Sequence, residues 1–260
     1  MLKLSANLGF LWTDRPLEER IVAAKKSGFD AVEFQFPYDA SRETLRQALR
    51  ETGLPLLGLN TRTGKDGEFG LSALPGREKE ALAAIDEAIE WAVDLGGTAV
   101  HVMAGIADDE TPVRRCKEAF VNALSYAAGR AARHGLTVLI EPINARDVPG
   151  YFLSSSAEAA RIIDMVAADN MKLQFDCYHA QIMEGDVTRR VATLMPKLGH
   201  IQIAGVPGRN EPDEGEVAYS WLLPEIERLG YQGAIGAEYR PRTTVEAGLS
   251  WMKTYRDSAR

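Results

Sequence analysis

Eight times along the chain a short apolar run is followed by a longer amphipathic stretch, and this alternation limits the possible fold more than any other feature. The apolar runs fall at residues 2–6, 31–34, 56–59, 99–103, 137–140, 172–175, 201–203 and 234–237. The amphipathic stretches fall at 17–27, 42–51, 78–95, 111–134, 156–166, 187–194, 219–229 and 245–255. In 78–95, Leu82, Ile85, Ile89 and Val93 recur at three- and four-residue steps, the spacing of one helix face. Glycines such as Gly28, Gly96, Gly135 and Gly230 stand where these helices should stop. Strands that are apolar throughout must be covered on both faces, which parallel strands with helical crossovers achieve. Eight such units predict one (β/α)8 TIM barrel domain spanning residues 1–260, a common length for that fold. An open doubly wound sheet competes. It usually has fewer strands and often carries a glycine-rich phosphate loop, and neither GxGxxG nor GxxxxGK[ST] occurs here.

The formal net charge of −7 disfavours binding to nucleic acid phosphates. The start, MLKLSANLGFLW, lacks a signal-peptide core, and no run approaches the roughly 18 apolar residues of a membrane span. Two cysteines, Cys116 and Cys177, suit a reducing compartment, so a cytoplasmic protein is expected. The sequence leaves the oligomeric state open, a homo-oligomer included.

Barrel enzymes carry their chemistry at the C-terminal ends of the strands. The fifth strand ends "TVLIEPIN" and delivers Glu141; the sixth ends "KLQFDCYH" and delivers Asp176, with His179 three residues on. The seventh, "HIQIAG", delivers Gln202, and the eighth, "AIGAEYRP", delivers Glu238. In a closed barrel these neighbouring strands bring the four groups to one side of the mouth. A carboxylate ending an apolar run is costly to bury alone. Glu141, Asp176, Gln202 and Glu238 form an oxygen-rich set suited to Mg²⁺ or Mn²⁺. The alternative is that these acids pair with Arg or Lys and only stabilise the barrel. His101 is read as a core residue, His134 as a helix-end cap and Cys177 as a packing residue. His200 is expected to precede the seventh strand and to face away from Gln202 in a backing role. Residues 61–76, long and glycine-rich, are read as an active-site loop.

The stretches "LIEPIN…DVPGYFL", "DCYHAQIMEGD", "GHIQIAGVPGRNEPDEGEV" and "GAEYRPRTTVEAGLSWM" closely resemble the hydroxypyruvate isomerase family, which includes the 2-oxo-tetronate isomerases and belongs to the xylose-isomerase-like barrels. "SANLGF", "VEFQFPYD" and "LPGREKE" match as well, so the resemblance covers nearly the whole chain. It implies a metal held by Glu141, Asp176, Gln202 and Glu238, with Glu141 and Glu238 as proton donor and acceptor. It also implies that His179 and Arg209 touch substrate oxygens. The expected reaction is an aldose–ketose isomerisation of hydroxypyruvate or a four-carbon 2-oxo-tetronate through an enediol. Arg209 is the first choice to meet the substrate carboxylate, with Arg62, Lys65 and Arg77 as weaker candidates. The chain departs from the family in its third loop, which reads "NTRTGKDGEFGLSALPGR" where members carry a tryptophan-containing GDW…GERG-like stretch.

Three rival readings remain. A ketose 3-epimerase would use the same metal and glutamates, but commonly has histidine where Gln202 stands. An abasic-site endonuclease would need more than the four histidines present. A non-catalytic sugar-binding barrel would not need the intact four-ligand set.

Overall fold

The computed structural model describes residues 3–107 and 110–258. Its strands are β1 (Leu4–Asn7), β2 (Ala31–Glu33), β3 (Gly58–Asn60), β4 (Ala99–His101), β5 (Thr137–Ile140), β6 (Met171–Asp176), β7 (Leu198–Ile203) and β8 (Ile235–Ala237). Between and after them run α1 (Leu17–Lys26), α2 (Arg42–Thr52), α3 (Glu78–Leu95), α4 (Val113–Ala132), α5 (Ser156–Val166), α6 (Cys177–Met183), α7 (Val187–Leu194), α8 (Tyr219–Arg228) and α9 (Ser250–Ser258). The strands are parallel, in the order β2-β1-β8-β7-β6-β5-β4-β3. β2 and β3 join the two ends of that row. The Val32 N–H donates to Pro55 O at 3.0 Å, Leu57 N–H to Val32 O at 2.9 Å, and Phe34 N–H to Gly58 O at 3.0 Å. The eight strands thus form one (β/α)8 barrel, as the alternation predicts.

α2 shows how local signals set an element. The Ser41 hydroxyl accepts the Thr44 N–H at its start, and Gly53 (φ 65°) ends it in a left-handed turn. Between the caps Leu45, Ala48 and Leu49 are buried against the barrel. Each leucine contributes about 1.5–3 kcal/mol relative to an exposed one.

The differences from expectation have physical causes. Leu2, the expected start of the first strand, lies outside the described residues. In α3 the buried face runs through Ala81, Ala84, Ile85, Ala88, Ile89 and Ala92, while Val93 is exposed. The stripe is therefore rotated toward the alanines. The short helix α6 was not expected; the Asp176 side chain starts it by accepting the Tyr178 N–H at 2.8 Å. The stretch at 245–255 resolves into a 3₁₀ turn, Glu246–Gly248, followed by α9.

His200 lies inside β7, not ahead of it, and faces the barrel interior on the same side as Gln202. Residues two apart on a strand share a face. Register sets the heights: Asp176 pairs with Gln202 across β6 and β7, and Gln202 with Gly236 across β7 and β8.

Residues 61–76 fold over the mouth. The Gly70 N–H donates to Thr63 O, and Gly70 bridges to Ala104. Gly70 has φ 120°, and a β-carbon there would lie 2.6 Å from Met103 O, so only glycine fits.

Candidate active site

All six residues singled out in the sequence come together. Glu141, Gln202, Glu238, His179 and Arg209 line a cavity of about 210 Å³ at the C-terminal mouth, together with Thr63 and Phe69 of the third loop. Asp176 lies at its edge, fully buried, with Oδ2 3.5 Å from both His179 Nε2 and Arg209 Nη2.

Each of the four groups has one side-chain polar atom held and one buried oxygen with no hydrogen-bond partner. Glu141 Oε2 accepts Gln174 Nε2–H at 2.8 Å, and Oε1 is buried and free. Glu238 Oε1 accepts Gln35 Nε2–H at 3.0 Å, and Oε2 is buried and free. Asp176 Oδ1 takes the Tyr178 N–H, leaving Oδ2; Gln202 Nε2 donates to Glu33 Oε2 at 2.8 Å, leaving its carbonyl Oε1. Buried acceptors are rarely left unsatisfied in a folded protein. Four such oxygens on four successive strands fit a hard cation.

The electrostatics agree. Burial, then the charges of Glu238 and Asp176, raise the Glu141 carboxyl well above its usual range. Burial pushes Glu238 up to about 8, with Arg209 opposing. Burial pushes Asp176 up to about 6. Arg209 keeps its proton although burial works against it, because Glu238, Asp176 and Glu141 surround it. A bound cation would reverse the shifts of the acids.

Glu141, Asp176 and His179 also bring ligand-type atoms within 4.8 Å of one another, so a metal could sit against this triad. The hydrogen bonds of His179 argue for a different role. Its Nδ1 accepts the Asn144 backbone N–H at 3.2 Å and lies 2.6 Å from Asn144 Nδ2. A neutral ring so held carries its proton on Nε2, an assignment that follows from the network. Burial, then the charges of Arg209 and His101, keep the ring neutral. His179 Nε2–H therefore points a donor, not a lone pair, into the site. Arg209 Nη2, also a donor, stands 3.3 Å from it. Two donors aimed at one place fit an oxygen atom between them.

Arg209 is held there under strain. Its φ of 56° is left-handed, which costs a residue with a β-carbon roughly 1–2 kcal/mol. Its N–H donates to Gly205 O and its carbonyl accepts the Arg240 N–H, both at 2.7 Å. The guanidinium lies over the rings of Phe10 and Tyr178.

The weaker third-loop candidates lie outside the cavity lining. Arg62 forks onto Glu87 at 2.7 and 3.0 Å and lies over Tyr38; Arg77 pairs with Glu68 and Glu80. Lys65 is exposed. These cations hold the loop and its flanks or face solvent. His101 is buried, as expected, with Nδ1 3.2 Å from Asn60 Oδ1 and 3.6 Å from Glu141 Oε2, and it also lines the cavity.

Sequence reasoning missed Gln35 and Gln174, which hold the two glutamates, and Glu33, which holds Gln202. Their signal was alternation: "AVEFQF" and "KLQFD" place Glu33 with Gln35, and Gln174 with Asp176, on one strand face. It also missed Arg240, which lines the cavity with its guanidinium free of any partner among the described residues.

Residues 21–255 match the family of xylose isomerase-like TIM barrels. The chain is 46% identical to the 2-oxo-tetronate isomerase of Cupriavidus necator over 98% of its own length and 99% of that protein. It is 39% identical to the hydroxypyruvate isomerase of Escherichia coli K12, covering 98% of this chain and 100% of that one. A crystal structure from Brucella melitensis, described as an AP endonuclease of family 2, superposes with a TM-score of 0.95 at 40% identity, covering 98% of this chain and 99% of that one. With the fold, the family match and the relatives in agreement over nearly its whole length, the chain is an isomerase belonging to the xylose isomerase-like TIM barrel family.

Proposed function

We propose that the protein shifts a carbonyl between adjacent carbons of a short 2-oxo acid, using a divalent cation, Mg²⁺ or Mn²⁺, held by Glu141, Asp176, Gln202 and Glu238. The substrate is a four-carbon 2-oxo-tetronate or hydroxypyruvate, which would give tartronate semialdehyde. The observation that carries this reading is the set of four buried, unpartnered oxygens on those residues. The cation, when bound, supplies Lewis-acid stabilisation of the negative charge that develops on the substrate oxygens.

The chain's own residues move the protons. One of Glu141 and Glu238 takes the proton from the hydroxyl-bearing carbon, and the C–H electrons become the double bond of an enediolate. The other, protonated, delivers a proton to the neighbouring carbon, and the hydroxyl proton passes to the former carbonyl oxygen. His179 Nε2–H and Arg209 donate to a substrate oxygen. Arg209 from inside and Arg240 from the rim offer guanidinium groups to the carboxylate.

The 46% identity to a 2-oxo-tetronate isomerase puts the four-carbon acid first. The description of the Brucella melitensis relative does not carry over: a −7 chain with an acid-lined mouth is ill suited to a polyphosphate strand. We place the enzyme in the cytoplasm; Cys116 and Cys177 are both buried and neither is in a disulfide.

The test strips metal with EDTA and assays both acids with and without Mn²⁺ or Mg²⁺ in D₂O. Metal-restored turnover with deuterium on carbon is expected. Full turnover without metal would overturn the cation requirement. No turnover of either acid would overturn the substrate assignment.

A further inference from the structure

Beneath the mouth lies a polar cluster that the proton-transfer scheme does not use. Asn7, Asn60, His101, Gln174 and Gln202 line both the mouth cavity and a second cavity of about 230 Å³ inside the barrel below it. Within this layer Glu33 of β2 is only 5% exposed and touches three other side chains. Its Oε1 accepts the Ser5 hydroxyl of β1 and lies 3.0 Å from His200 Nε2 of β7. Its Oε2 accepts Gln202 Nε2–H at 2.8 Å. Gly236 of β8 makes the cluster possible. A β-carbon there would stand 2.5 Å from Glu33 Oε1, 2.7 Å from Gln202 Cγ and 2.9 Å from His200 Nε2.

The chemistry of an amide gives this cluster a purpose. Gln202 can present either its carbonyl oxygen or its NH₂ to the cavity, because rotation by half a turn exchanges two ends of nearly equal shape. Among the carboxylates of Glu141, Asp176 and Glu238 the free preference would be NH₂ inward, as a donor. A cation needs the opposite, the oxygen inward. An acceptor fixed behind the amide resolves the conflict, and a carboxyl oxygen, having no N–H of its own, can only hold the NH₂ end there. With the Ser5 hydroxyl on Oε1, the Glu33 carboxyl turns Oε2 to the Gln202 amide, 2.8 Å from its Nε2.

We propose that Glu33, supported by Ser5 and His200, is a positioning residue that fixes the Gln202 amide with its carbonyl oxygen toward the cation site. This rests on the reading of Gln202 as a cation ligand. Partners behind a ligand commonly change metal affinity about 10–100-fold when removed.

The experiment measures the Mn²⁺ dissociation constant of the metal-free full-length protein by electron paramagnetic resonance, without reference to turnover. Glu33→Gln is expected to weaken binding about 10–100-fold. In a Gln202→Ala background the same substitution is expected to change it less than about threefold, because the amide it orients is gone. The exchanged pair Glu33→Gln with Gln202→Glu restores an amide donating to a carboxylate, and binding is expected to return to within about tenfold of the parent. Wild-type affinity in Gln202→Ala would overturn the ligand reading, and this inference with it. A weakened Gln202→Ala combined with an unchanged Glu33→Gln, or with an equal Glu33→Gln effect in both backgrounds, would overturn the positioning role alone. Should Glu33→Gln not fold, Ser5→Ala removes one support of the same carboxylate. It is expected to weaken Mn²⁺ binding only while Gln202 is present, and unchanged binding overturns the proposal.

Discussion

Gln174 Nε2 donates to Glu141 Oε2 at 2.8 Å, and this one bond decides which oxygen of the glutamate is left for chemistry. Both groups are buried, and they come from neighbouring strands, β6 and β5. Gln174→Leu keeps the volume roughly constant but removes the donor, so the carboxylate can rotate and its held oxygen loses its partner. The expected result is a fall in kcat of about 10–100-fold with a smaller change in KM. Steady-state kinetics at saturating Mn²⁺ check it. An unchanged kcat would mean that the orientation of Glu141 does not limit the reaction.

The two glutamates themselves are tested by isosteric amides. Glu141→Gln and Glu238→Gln retain shape and the bonds from Gln174 and Gln35 can be met by the amide oxygen. Neither amide can take or give the proton. Each substitution is expected to lower kcat by roughly 10²–10⁴-fold, with far-ultraviolet circular dichroism unchanged. Activity within a few-fold of the parent in either variant removes that residue from the proton-transfer pair.

Much of this was legible from strand ends. Glu141, Asp176 and Glu238 each close an apolar run and Gln202 sits inside one, and a barrel brings successive strands together whatever the details of their packing. What depended on side-chain rotamers was not legible. That Gln35 reaches across to Glu238, or that Arg62 turns out to Glu87, is settled by tertiary contacts. His200 was misplaced because β7 begins at Leu198, three residues before the run "IQI" at 201–203. Once the strand includes it, its two-residue spacing from Gln202 puts both on one face. The helix α6 was missed because its signal is a capping bond from Asp176, a residue already assigned to the metal set.

The raised carboxyls make metal-free stability depend on pH. A group whose folded pKa lies above its unfolded value stabilises the fold fully at pH below the unfolded value, and that contribution is lost as pH rises through the folded one. Glu238, near 8, spreads this loss from the ordinary carboxylate range up to about pH 8, and Glu141, also raised, adds to it. Below about pH 6.5 the buried neutral rings of His101 and His179, both lowered, act in the opposite sense, so the window to read is pH 7 to 8.5. In EDTA the Tm is expected to fall by a few degrees across that window. At Mn²⁺ a hundredfold above its Kd the Tm is expected to rise by about 5 °C or more, and the fall with pH to shrink. Differential scanning calorimetry distinguishes this from a pH-independent Tm, which would deny the cluster its buried acids.

Arg240 separates binding from chemistry. Its backbone N–H is held by Arg209 O and its carbonyl by Asn210 Nδ2 at 2.8 Å, so the residue is fixed at the rim of the cavity that it helps to line. Arg209, by contrast, has its charge set against Asp176 and Glu238 at 3.5 and 3.4 Å. A rim cation meeting a carboxylate remote from the reacting carbons binds ground and transition states alike, which lowers KM without raising kcat. Arg240→Gln is therefore expected to raise KM for a 2-oxo acid by about 10-fold, the value of a charge-assisted hydrogen bond of about 1.4 kcal/mol, with kcat within about twofold. If kcat falls with KM unchanged, Arg240 acts on the transition state, and the carboxylate contact belongs to Arg209.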